Sequence, residues 1–178
     1  MRYFAGLVGV GLALVAVAAP VAAQTTTDTA AALKWVTTQQ QADGSFAGFG
    51  PGDTADALFA FVAAGEDVAA LSKGGKTPIS FLQDQAASYA TTSVGAAAKL
   101  TMAAVAADVD PTNFGGTNLL EVIGKSYDPA TGQYGADVYS HALALLAIRS
   151  VGATPPAATP SPDASSCKAT VTRPVRLP

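Results

Sequence analysis

An all-α fold, arranged as about three helical hairpins in two layers, is what this sequence predicts. Three observations carry the prediction. Alanine and leucine dominate residues 29 to 151, β-branched alternation is scarce there, and Gly/Pro clusters recur between apolar runs as loops between helices would.

Before the helices, residues 1 to 23 are set apart. Arg2 precedes a long Gly/Ala/Val/Leu run closing on Val21-Ala22-Ala23, the pattern of a secretory signal cleaved before Gln24. The mature protein is therefore expected to be extracytoplasmic, secreted or at the cell surface, meeting a membrane only through this segment if it stays uncleaved. Residues 24 to 152 then make one small domain. From 153 to 178 the chain turns rich in proline, with Pro155, Pro156, Pro160, Pro162, Pro174 and Pro178, and a disordered tail is expected.

Six helices are expected. The first spans roughly 29 to 41, capped by Asp28 or Thr29, with Ala32, Leu33, Val36 and Gln40 on one face and Lys34, Thr37, Thr38 and Gln41 toward water. The second starts with Asp53 as N-cap and Asp56 near the positive end of the helix dipole, carries Ala55, Leu58, Phe59, Phe61 and Val62, and stops at Gly65. Residues 77 to 89 open on Thr77-Pro78, with proline at a tolerated first-turn position. Residues 93 to 107 are almost wholly apolar and small, 117 to 125 amphipathic, and 137 to 151 apolar again. Pairs of a wetter and a drier helix thus recur every 40 to 45 residues, which predicts dry helices inside and wet ones outside.

Composition excludes several functions. Between Gln24 and Gly152 stand six basic residues (Lys34, Lys73, Lys76, Lys99, Lys125, Arg149) against twelve acidic ones, a net of about −6, with no basic run to track phosphates, so no nucleic-acid partner is expected. Cys167 is the sole cysteine, so no intramolecular disulfide forms. No metal or cofactor is expected. His141 is the sole histidine, and Asp108-Val109-Asp110-Pro111 reads as a turn lacking the further alternating oxygens of a calcium loop. Asp128-Pro129-Ala130-Thr131-Gly132 reads likewise as turn chemistry, and no phosphate-cradling glycine loop or G-x-S-x-G elbow occurs.

Trp35-Val36, then Gln40, then Gly44-Ser45-Phe46 resembles the glutamine-and-aromatic repeat of squalene and oxidosqualene cyclases, shared more loosely by prenyltransferase β-subunits and the wider α/α-toroid superfamily. The resemblance covers residues 28 to 152. It implies an aromatic on an outer helix, a glutamine bonding backbone at the neighbouring inner helix, and a glycine permitting the turn. Here Ala31 stands where a basic residue is usual and Phe46 where tryptophan is usual. Gly132-Gln133-Tyr134 echoes the motif without its glutamine; Phe81-Leu82 echoes it with Ala86 and Ala90 at the glutamine and glycine positions. Since a toroid usually holds five or six helix pairs, three imply an open arc.

In the cyclases it resembles that protonate their substrate, an Asp-x-Asp-Asp-Thr-Ala motif opens an inner helix, and its middle aspartate is the acid. Such an acid must be held neutral and its anion stabilised. The matching residues are Gly50-Pro51-Gly52-Asp53-Thr54-Ala55, with Gly52 in the donor's place, so no catalytic residue is assigned and Asp53 is read as a cap. The zinc ligands of protein prenyltransferases are missing too, because the domain has no cysteine. The expectation is a non-catalytic, secreted or surface-associated binding domain holding a small apolar ligand or an extracellular protein partner on its inner-helix face. Phe46, Phe49, Tyr134 and Tyr139 are its candidate ligand-binding aromatics, His141 its polar handle, and Trp35, Gln40, Gly44, Phe46 and Asp53 its structural motif. The alternative is a divergent or truncated isoprenoid cyclase; exposed apolar ends would make such an arc self-associate.

Overall fold

The computed structural model describes residues 26–46, 48 and 50–156; the expected signal segment, Phe49 and residues 157–178 lie outside them. Among the described residues the chain is mostly helical. Its order is α1 (Thr26–Thr38), α2 (Pro51–Ala63), α3 (Pro78–Asp84), α4 (Ala86–Ala90), α5 (Val94–Ala106), a 3-10 turn (Pro111–Asn113), α6 (Leu119–Lys125), β1 (Tyr127–Asp128), β2 (Gln133–Tyr134) and α7 (Val138–Ser150). No helix among the described residues is long and apolar enough to cross a membrane.

Helix α5 is the hub, packing most extensively on α7 and then on α6, α2 and α4. Its sequence, VGAAAKLTMAAVA, explains why: small side chains around most of its circumference let neighbours approach from several directions. Ala97, Ala98, Leu100, Thr101, Ala103 and Ala104 are fully buried, and Leu58 of α2, Leu82 of α3, Leu119 and Ile123 of α6 and Ala144 and Ala147 of α7 join them in the core. A Cβ added at Gly95 would lie 3.1 Å from Ser140 Oγ, so the first turns of α5 and α7 meet closely. The two helices therefore start at the same end of the molecule.

Asp53 is not the cap of α2. The helix begins earlier, with Gly50 as N-cap at φ 122° and Pro51 in its first turn, and the glycine brings no capping side chain of its own. Proline suits the first turn because its missing N–H would be unbonded anyway, and a φ of 122° suits glycine alone. The Gly-Pro pair thus starts the helix before Asp53 can, leaving Asp53 in the first turn, where its charge still favours the dipole.

Two other expectations shift for local reasons. Helix α1 ends at Thr38, placing Gln40 and Gln41 beyond it; the Thr37 and Thr38 hydroxyls donate back to Leu33 O and Trp35 O, competing with continuation of the helix. The 77 to 89 helix divides at Gln85 into α3 and α4. Thr77 nonetheless starts α3 with a reciprocal capping box: Ser80 N donates to Thr77 Oγ1 at 3.1 Å and Thr77 N to Ser80 Oγ at 3.0 Å.

The small antiparallel ribbon, Tyr127 opposite Tyr134 and Asp128 opposite Gln133, lies where helices were expected to be joined by a plain turn. Asp128 closes that turn, accepting from Ala130 N at 2.9 Å and Thr131 Oγ1 at 2.8 Å. Isolated bridges recur at Gln40–Phe46, Lys73–Lys76 and Phe114–Thr117. Each of these turns sets a glycine against a carbonyl of a separate segment: Gly44 on Thr77, Gly74 on Ala42 and Gly115 on Gln83.

Acidic turn and cap residues should give the fold a sensitivity to acid. Asp137 caps α7 by accepting from Ser140 N at 2.8 Å, and that bond lowers its pKa; Asp110 is lowered by the Thr112 N–H and Asp128 by the Ala130 N–H. A lowered folded-state pKa stabilises the fold above the unfolded value and ceases to do so as pH falls through the folded one. Melting temperature should therefore fall progressively below about pH 4. Asp137→Asn, which caps without titrating, should make that decline shallower in thermal melts followed by circular dichroism.

Candidate functional site

Of the five candidate ligand-binding residues, Phe49 lies outside the described residues, and the other four divide between core and surface. Phe46 is 5% and Tyr134 2% exposed, so both rings face the core. Phe46 stacks on Phe61 with centroids 5.7 Å apart, and Tyr134 packs between Tyr127 at 5.0 Å and His141 at 6.1 Å. Tyr139, in contrast, is 65% exposed on the first turn of α7.

His141 has a structural partner in plain view. Phe46 N donates to Thr54 Oγ1 at 3.2 Å, and Tyr134 N donates to His141 Nδ1 at 3.1 Å. Thr54 lies four residues after the α2 N-cap Gly50, and His141 four after the α7 N-cap Asp137. The two bonds are thus one device used twice: the aromatic closing each hairpin is tied through its main chain to the second turn of the next helix. Accepting at Nδ1 requires the neutral ring with its proton on Nε2. In α5, which begins after Ser93, the equivalent position is Ala97, which has no acceptor to offer. Thr54→Val, close to isosteric but without the acceptor, and His141→Leu should each cost about 1–2 kcal/mol in urea unfolding.

The chemistry gathers instead where α2, α5 and α7 begin. Beside Lys99 a cavity of about 170 Å³ is lined by Tyr89, Ser93, Lys99, Tyr139, Ser140 and Leu143, among others, all from α4, α5, the turn between them and α7. Lys99 Nζ reaches across to Asp56 Oδ2 at 2.9 Å, joining the second turns of α5 and α2; its side chain is 16% exposed and that of Asp56 57%. Half-exposed pairs of this kind add less than about 1 kcal/mol to stability, so the pair's interest is positional. A Cβ added at Gly52 would stand 2.6 Å from the Tyr89 hydroxyl and 4.0 Å from Lys99 Nζ. The glycine makes room for a phenol beside an ammonium.

Burial is the largest influence on both groups, and it acts in opposite directions. It raises the Tyr89 pKa, keeping the phenol neutral, with nearby Lys99 opposing. It works against the Lys99 charge, but the hydrogen bond and charge of Asp56 outweigh it and the pKa rises. At neutral pH the cavity therefore presents a neutral phenol and a paired cation.

Lys99, Tyr89 and Asp56 did not stand out as site residues in the sequence. The one available signal is Lys99 itself, the single charge on an otherwise apolar helix. The motif residues take mixed positions. Gly44 makes the turn at φ 90°, Trp35 is 65% exposed on α1, and Gln40 is buried, its main-chain oxygen accepting from Lys73 Nζ while its Nε2 has no hydrogen-bond partner. The backbone bond that the resemblance implies for this glutamine is thus not made by Nε2.

A larger, open groove of about 630 Å³ lies at the opposite end, between Val105, Val109, Leu120 and Val151. Of its two carboxylates, Asp108 and Asp110, the second is occupied in turn bonds to Thr112, and its hydroxyls are committed as well, Thr112 to Asp110 and Ser150 to Ala147 O. Among the described residues no group of three or more His, Cys, Asp or Glu is placed to hold a metal ion. Comparison with protein-family models, curated proteins and solved structures gives no match.

Proposed function

We propose that this chain is an exported, non-catalytic binding module of the terpene cyclase/prenyltransferase-repeat type, an α/α-toroid-like open arc that holds a small apolar ligand or a protein partner where α2, α5 and α7 begin. One observation carries the reading. At the position matching the cyclases' proton donor stands Gly52, and the space beside it is taken by the Tyr89 hydroxyl and Lys99. A neutral phenol next to an ammonium is far too weak an acid to protonate an alkene, whereas both are good hydrogen-bond donors. Tyr139 and Leu143 give the same cavity an apolar wall.

Two measurements test this. Mass spectrometry of the chain purified from the culture medium should detect a copurifying small molecule or protein, and incubation with squalene or prenyl diphosphates should give no product. Turnover abolished by Asp53→Asn would replace the binding reading with that of a divergent cyclase. Among the described residues the large exposed hydrophobics sit on the first and last helices, Trp35 on α1 and Val138, Tyr139 and Leu146 on α7. Such uncovered ends favour self-association of a repeat array, and light scattering should show apparent mass rising with concentration.

A further inference from the structure

Resting on that binding reading, we infer that the site selects a neutral apolar molecule ending in a hydroxyl group, with the hydroxyl among Lys99, Asp56 and Tyr89 and the apolar body along the Tyr139, Leu143 and Leu146 face of α7.

Charge balance argues for the hydroxyl. Lys99 Nζ has one proton directed at Asp56 and two remaining, Asp56 is more than half exposed and keeps free lone pairs, and the Tyr89 phenol both donates and accepts. An alcohol can donate to Asp56 while accepting from Lys99 or Tyr89. A carboxylate cannot donate, and it would meet Asp56 as well as Asp53, whose charge also reaches Tyr89. An ammonium would oppose Lys99. The neutral donor-acceptor group is the one that leaves no buried or half-buried charge worse off.

The apolar body follows from helix geometry. Tyr139, Leu143 and Leu146 stand at i, i+4 and i+7 and share one face of α7. Tyr139 and Leu143 line the cavity, and Leu146 continues the strip outward at 58% exposure. The cavity's 170 Å³ accommodates a head group and little more, so a chain of any length must leave along this strip. About 10 Å of helix separates Tyr139 from Leu146.

Displacement of the neutral dye Nile red from the secreted chain tests the inference, using 1-decanol, decanoate and decyl methyl ether, which accepts but cannot donate. Decanol should displace the dye at about tenfold lower concentration than either analogue. Asp56→Ala, which removes the acceptor of the alcohol's proton, should remove most of the advantage over the ether. Tyr89→Phe and Lys99→Met, which leave that acceptor in place, should weaken alcohol and ether alike, and Leu146→Ser should weaken all three. Equal displacement by alcohol and ether, tighter displacement by decanoate, or dye that none of the three displaces would overturn the inference while leaving an apolar binding module. Failure of Nile red itself to bind would remove the binding reading and the inference together. If Asp56→Ala does not fold, the comparison of alcohol with ether on the parent chain decides.

Discussion

Gly115→Ala is expected to destabilise the protein by about 3–5 kcal/mol, combining left-handed backbone strain with overpacking. Gly115 sits at φ 57°, and a Cβ there would fall far inside van der Waals contact with the Gln83 carbonyl at the end of α3. Backbone cannot swing aside as a flexible side chain can, so relief requires the Phe114–Thr117 turn to lift away from α3. Gly116 supplies the control. It too has a positive φ, 78°, but an added Cβ would meet nothing within 4 Å, so Gly116→Ala should cost only the backbone strain, about 1 kcal/mol. Thermal melts should place Gly115→Ala roughly 10–15 °C below the parent and Gly116→Ala within a few degrees of it. Equal shifts would mean that the Gln83 contact is not what holds this turn against α3.

Phe114→Ala should be nearly as damaging, at about 3–5 kcal/mol. Phe114 belongs to a loop, yet it is fully buried and heads the largest fully buried side chains. Its main chain exchanges two hydrogen bonds with Thr117, at 2.9 and 3.0 Å, which hold the ring inward beneath the Gly115-Gly116 turn. The void left by alanine could close only by moving the glycine turn or the core helices α5 and α6. Urea unfolding should show a lower midpoint with unchanged slope, as for a cavity in an otherwise intact fold. Phe114→Leu, which retains much of the volume, should lose less than half as much.

Helices were legible in the sequence because their signals are local. Thr77-Pro78, Ser93 and Asp137 announce starts that the structure uses as caps or first-turn residues. Boundaries moved where two signals compete, as at Gly50-Pro51 against Asp53, or where threonine hydroxyls attack their own helix end. Phe114 shows the limit of periodicity: a single aromatic before Gly-Gly looks like loop, and only the fold shows that it fills the core. The α7 face misled in the opposite sense, since an apolar helix was expected to be covered and yet Val138, Tyr139 and Leu146 are exposed. Coverage depends on neighbours, which no single helix encodes. The Lys99–Asp56–Tyr89 grouping was hidden for the same reason, because Asp56 and Lys99 are separated by 43 residues and meet only when α2 and α5 pack.

Gly44, Gly74 and Gly115 each press main chain against main chain. A joint of this kind ignores side-chain identity on both partners except at the glycine itself. Loops as unlike as Ala42-Asp43-Gly44-Ser45, Lys73-Gly74-Gly75-Lys76 and Phe114-Gly115-Gly116-Thr117 can therefore serve as the same hinge pin. Grafting an additional hairpin should demand only that one glycine in register, leaving the rest of the inserted loop free to vary.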